Sequence, residues 1–136
     1  MKLNAEVDSL IDILVSENVI KNKTFAFAIR IVKLYQYLCD DKKEFTLSKQ
    51  LLRSGTSVGA MVREAEYADT TKDFLHKLAI AQKEINETIY CLALLKETDY
   101  LESKHYNSIN TDAVEIIKIL TSIIISTKKG KAKSQN

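Results

Sequence analysis

Apolar residues recur along this chain at three- and four-residue intervals, which is the pattern of helices with one buried face. Val7, Leu10, Ile11 and Leu14 set such a face within residues 4–17, opposite acidic side chains. They predict a short amphipathic helix, too brief to be stable unless it docks on something. Asn22 or Thr24 then stands where a cap is needed for a second helix, with a stripe of Phe27, Ile31, Leu34 and Leu38. Within that run Phe25, Phe27, Ile29 and Ile31 alternate with Ala26, Ala28 and Arg30, which is also a strand pattern. Helix is preferred because the run reaches Leu38 without a turn residue. A charged link, Asp40 to Lys43, precedes a helix opened by Glu44 and ending near Tyr67. Thr70-Thr71-Lys72-Asp73 has the form of a capping box, with Asp in place of Glu, and starts the longest helix. Its stripe is Leu75, Leu78, Gln82, Ile85, Ile89 and Leu92. After a turn around Asp99 to Glu102, Ser103 is placed to cap a last helix. There Ile109, Ala113, Ile116, Leu120, Ile123 and Thr127 keep a heptad spacing.

The stretch from Leu51 to Ala65 carries Gly55 and Gly59, two of only three glycines. A phosphate-binding loop would need a preceding strand and a Gly-Lys-Ser/Thr step, and neither is present. Leu47, Leu51, Ser54, Gly55, Val58, Met61, Val62 and Ala65 instead keep helical spacing, so the glycines fall within a packing stripe. A glycine inside a helix costs about 1 kcal/mol against alanine; close approach of a neighbouring helix is the compensating gain. Four long helices with short links predict an all-α, up-down-up-down antiparallel four-helix bundle. Residues 19–128 form that bundle, preceded by an amphipathic arm at 1–18 and followed by a disordered basic tail at 129–136.

Composition supports the class. The 136 residues contain no proline, and 46% are hydrophobic, so helix interiors lack breakers and the turn residues of an all-β domain are missing. The formal net charge of +2 is too small to indicate a nucleic-acid binder by itself. Its distribution is uneven: Glu6, Asp8, Asp12 and Glu17 outweigh Lys2 at the start, while Lys128, Lys129, Lys131 and Lys133 crowd the end. Cys39 and Cys91 lie far apart among apolar neighbours and read as free thiols. With no signal peptide and no apolar run near the ~20 residues needed to span a bilayer, a cytoplasmic protein without membrane contact is expected.

Candidate chemistry is sparse. Glu102-x-x-His105 and Asp73-x-x-His76 resemble half-sites of a di-metal bundle. They begin and follow the same long helix, however, and about 27 residues at ~1.5 Å rise hold them about 40 Å apart. Ser54 and Ser57 lie in mid-helix without an adjacent base, and satisfied hydroxyls bonded back to carbonyls explain them. No catalytic residue, metal or cofactor is expected. Glu64 and Glu87 are read as partners of Arg53, Arg63 or a lysine at the core edge. Ile117, Ile124 and Ile125 fall outside the heptad stripe of the last helix. A helix apolar on more than one side needs a second partner, so these three are assigned to an oligomer interface.

A set of segments in this order resembles a known family. They are Phe27-Ala28-Ile29-Arg30-Ile31-Val32-Lys33-Leu34-Tyr35, Ser48 through Ala60, Asp73-Phe74 with Leu78-Ala79-Ile80-Ala81, then Glu84, Glu87-Thr88 and Leu94 through Leu101. The family is that of the four-helix-bundle, or 23S rRNA-intervening sequence, proteins, and the resemblance covers roughly residues 19 to 128. Met61 stands where the family usually has Asn in a Gly-Ala-Asn-Ile-x-Glu motif, while Glu64 is retained. The resemblance implies a homopentameric ring. The expected function is that of a non-enzymatic, homo-oligomeric scaffold or a binder of RNA or another nucleic acid through lysines on the ring surface, for which Lys49, Arg53, Lys128, Lys129, Lys131 and Lys133 are the candidates. In a related branch, the accessory proteins of diversity-generating retroelements, the partner includes a reverse transcriptase, so a protein-only adaptor is the alternative reading.

Overall fold

A computed structural model describes the backbone over residues 2–135 and the side chains over residues 5–130. The described residues form four helices: α1 (Lys2–Asp40), α2 (Leu47–Glu66), α3 (Thr71–Glu97) and α4 (Ser103–Gln135). Each packs on the next and α4 closes against α1, with no diagonal contact among the described residues. This is the antiparallel up-down-up-down bundle that short connections dictate. Its core is built from the expected stripes: Phe27, Ile31 and Leu38; Leu51, Val58 and Val62; Leu78, Ile85, Leu92 and Leu95; Ile109, Ile116, Leu120 and Ile123. Each such side chain contributes about 1.5–3 kcal/mol by leaving water.

The first helix departs from the sequence reading. The arm and the helix after it are one continuous α1 of 39 residues, with no break at Asn22 or Thr24. No glycine or proline interrupts the run, and Thr24 does not cap: its Oγ1 donates back to the Ile20 carbonyl at 2.8 Å, as a mid-helix threonine does. The strand-like alternation also finds its cause. Phe27 and Ile31 are buried, whereas Phe25 and Ile29 point to solvent, so α1 is apolar on two opposite faces.

Helix ends are set by local polar groups. The Glu44 carboxylate, itself nearly buried, accepts from the amides of Thr46, Leu47 and Ser48 and caps α2, which begins at Leu47 rather than at Glu44. At α3 the Thr70 hydroxyl accepts from the Asp73 amide at 3.0 Å, as the capping pattern predicts. Ser103 is the first residue of α4 rather than its cap. Between α1 and α2 the glycines admit close contact. A Cβ on Gly55 would lie 2.7 Å from Ile31 Cγ1, and one on Gly59 would lie 3.4 Å from the Thr24 carbonyl oxygen.

At ~1.5 Å per residue, α1 is about 58 Å long and α2 about 30 Å. The Lys21–Glu66 ion pair marks the level at which α2 ends against α1. Below it the first half of α1 continues beside the end of α4 as a two-helix extension, with a cavity of about 170 Å³ between them, lined by Ser9, Ile13 and Ser16 on one side and Ser122, Ile123 and Ser126 on the other. α4 continues as helix to Gln135, through the stretch for which disorder is expected from sequence.

Candidate interaction surfaces

The dominant surface feature lies on α1. Val7, Ile11, Leu14, Asn18, Asn22, Phe25, Ile29, Val32 and Gln36 recur at the 3.6-residue period and so form one straight line on the helix. That line points away from the buried Ile20, Phe27, Ile31 and Leu38. Every apolar member is exposed, Leu14 (58%), Phe25 (54%) and Ile11 (51%) by more than half, and Leu10 (61%) borders the line. No charged residue interrupts it. The Arg63 guanidinium of α2 sits over the Phe25 ring, 5.3 Å from its centroid, and extends the face sideways. Contiguous apolar surface of this kind marks interaction sites on monomeric folds. The sequence reading placed only residues 4–17 on such a face. The signal that continues it is the register shared by Val7, Ile11 and Leu14 with Phe25, Ile29 and Val32, bridged by Asn18 and Asn22.

The α4 residues assigned to an interface divide. Ile125 is 47% exposed and Ile117 is half-buried against the core. Ile124 is corrected: it is 9% exposed and belongs to the core, because the straight helix turns it between the Leu120 row and α3 instead of outward. A charge at Ile124 therefore disrupts the fold itself. Outside the core row, Ile117, Lys118, Thr121, Ile125 and Lys129 form an open strip, contributed by α4 alone, on the outward side of that helix.

The basic candidates do not converge. Lys49 lies at the start of α2, near the C-terminal end of α1, whereas Lys128 and Lys129 lie at the far end of α4. From Ser103, which shares the Lys49 end, to Lys128 is about 38 Å along the helix. Arg53 is already committed: its guanidinium pairs with Glu84 at 3.2 Å and with Glu87. The Glu87 hydrogen bond, reinforced by the charges of Glu84 and Glu87, holds it above the ordinary arginine range. Glu87 is thus paired as the sequence suggests, and Glu64 meets Lys77 at 3.7 Å. The side chains of Lys131 and Lys133 lie outside the described residues.

Elsewhere the chemistry is structural. Asp73 and Glu102 stand at opposite ends of the bundle, and among the described residues no three His, Cys, Asp or Glu side chains converge as metal ligands. The Ser54 and Thr88 hydroxyls bond to each other at 2.9 Å between α2 and α3, buried. Burial first, then the Glu87 charge, pushes the Cys91 thiol up, which keeps it protonated and unreactive. An open groove of about 280 Å³ between α1 and α4 is bordered by Lys33, Tyr37 and His105, but its Arg30 is held by Asp112 and Ser108. No described helix is long and apolar enough to cross a membrane.

Comparison with known proteins places the chain among relatives of the same architecture. The family model described as 23S rRNA-intervening sequence protein matches residues 5–122, a span that takes in most of the N-terminal arm. A crystal structure of a protein of unknown function from the S23 ribosomal protein family of Bacteroides thetaiotaomicron VPI-5482 is 55% identical, with a TM-score of 0.80. The match covers 80% of this chain and 97% of that one. No curated protein matches.

Proposed function

The chain belongs to the 23S rRNA-intervening sequence protein family, and from that premise we propose that it is a non-catalytic, self-assembling helical scaffold. Its assembly surface is the outward face of α1. The observation that carries this reading is that face itself: seven apolar side chains, Val7, Leu10, Ile11, Leu14, Phe25, Ile29 and Val32, exposed in two clusters along one helix with Asn18 and Asn22 between them. Burying each is worth about 1.5–3 kcal/mol for a full side chain and about half that for a half-exposed one. Cyclic closure would bury the face without open-ended growth, and the family resemblance favours five subunits.

Light scattering tests this. The wild-type protein is expected at several times 15.4 kDa, and Phe25→Asp with Ile29→Asp is expected to give monomers with unchanged helical circular dichroism. A wild-type monomer at micromolar concentration would refute the reading.

Binding of RNA is the second activity, supported by Lys49, Lys128 and Lys129, which are exposed and form no ion pair among the described residues. Because one copy holds them at opposite ends, they act as repeated rims of an assembly rather than as one patch. Phosphate contacts make the logarithm of affinity fall linearly with that of salt. A salt-insensitive partner would instead indicate a protein, such as a reverse transcriptase, bound through an apolar face.

A further inference from the structure

An assembly surface needs a receiving surface. We infer that the N-terminal half of α1 from one copy docks on the outward face of α4 in the next copy, over Ile117, Thr121 and Ile125. This rests on the self-assembly reading and names the contact that makes it.

The two surfaces match in polarity and charge. The arm presents Val7, Leu10, Ile11 and Leu14, flanked by Glu6, Asp8, Asp12 and Glu17. The α4 face offers the apolar side chains of Ile117 and Ile125, bordered by Lys118 and Lys129 with Lys128 nearby; none of the three lysines forms an ion pair among the described residues. The acidic stretch from Glu6 to Glu17 and the basic stretch from Lys118 to Lys129 each span twelve residues, about 17 Å of helix. Opposite charges bordering an apolar strip fix the register of a docked helix and disfavour the like-charged alternative, arm against arm.

The chain's own arm does not cover this face of its own α4. It lies along the neighbouring flank, where Ser9, Ile13 and Ser16 face Ser122, Ile123 and Ser126 across a cavity, and Ser122 and Ser126 border both that cavity and the receiving face. In that place Val7, Leu10, Ile11 and Leu14 of the arm stay exposed. Each copy therefore carries one unused donor and one unused acceptor. A contact between two different surfaces is heterologous, so it propagates until the rotation closes a ring. α1 and α4 are adjacent helices of the bundle, which places donor and acceptor on neighbouring corners, and successive copies turn rather than stack in a line.

The test uses two double variants of the full chain: Leu10→Asp with Leu14→Asp breaks the donor, and Lys118→Glu with Ile125→Asp breaks the acceptor. All four positions are exposed or carry surface charge, and circular dichroism checks that both variants remain folded. Each alone is expected to run as a monomer by light scattering. Mixed one to one, at concentrations up to tenfold above those at which the wild type assembles, they are expected to double in mass and stop there. The intact acceptor of one then holds the intact donor of the other, and neither keeps a second arm contact through which to extend. If the wild type assembles but the acceptor variant assembles equally well, or the mixture stays monomeric, this contact is wrong while the self-assembly reading stands. If the wild type is itself a monomer, both fail.

Discussion

Gly55 and Gly59 lie one turn apart on the same face of α2, yet the structure separates their responses to a single methyl group. Alanine at either position gains about 1 kcal/mol in helix propensity, so that term cancels when the two variants are compared. At Gly59 the added carbon meets the Thr24 carbonyl oxygen and Oγ1 at 3.4 Å, a contact that needs little or no movement. At Gly55 it would stand 2.7 and 2.8 Å from Ile31 Cγ1 and Cγ2, about 1 Å inside normal carbon contact. Ile31 is fully buried, and a β-branched side chain in a helix has one strongly preferred χ1, so it does not swing aside. Relief requires α1 and α2 to separate, at the ~1–3 kcal/mol typical of overpacking. With an unfolding entropy of about 2.1 cal/mol/K per residue, Gly55→Ala is expected to melt about 4–10 °C below Gly59→Ala. The measurement is thermal circular dichroism at matched protein concentration. In an Ile31→Ala background the same Gly55→Ala change is expected to become stabilising, because the new methyl enters vacated space. A Gly55→Ala variant that melts at or above Gly59→Ala would show that the helices do not approach closely at Ile31.

Two further perturbations probe the polar framework. Burial opposes ionisation of Glu44, but the Leu47, Ser48 and Thr46 amides outweigh it and hold the carboxyl below its ordinary value of 4.5. A depressed folded pKa contributes stability above 4.5 that is lost as pH falls through the folded value. Glu44→Gln is therefore expected to cost about 1 kcal/mol at neutral pH and to converge with wild type in acid melts; a constant difference across pH would contradict the cap. Thr88→Val keeps volume but removes the partner of Ser54 between α2 and α3. It is expected to cost about 1–2 kcal/mol in urea titration, and Ser54→Ala in the same chain should recover part of that loss.

Helix content, bundle topology and most of the core could be read directly from the chain, because burial in a bundle follows the 3.6-residue period, there is no proline, and the three glycines, Gly55, Gly59 and Gly130, all stay within helices. Ion pairing of Glu64 and Glu87 followed from the same logic. Three matters depended on how the helices meet. Whether Thr24 caps or bonds back within a helix is settled by what precedes it, and residues 2–20 are helical because α4 lies beside them. Which α4 isoleucines face out depends on the small angular difference between a heptad and a straight helix, and it placed Ile124 inside and Ile125 outside. Most consequential, two apolar faces on α1 look alike in sequence, since periodicity reports amphipathic spacing and not which face meets a neighbour. Packing of α2 and α4 on the Phe27 and Ile31 side leaves Phe25 and Ile29 to solvent. Likewise the dispersal of the lysines over both ends of the bundle, and the capture of Arg53 by two α3 carboxylates, are consequences of chain direction in an antiparallel bundle, which distance along the sequence does not encode.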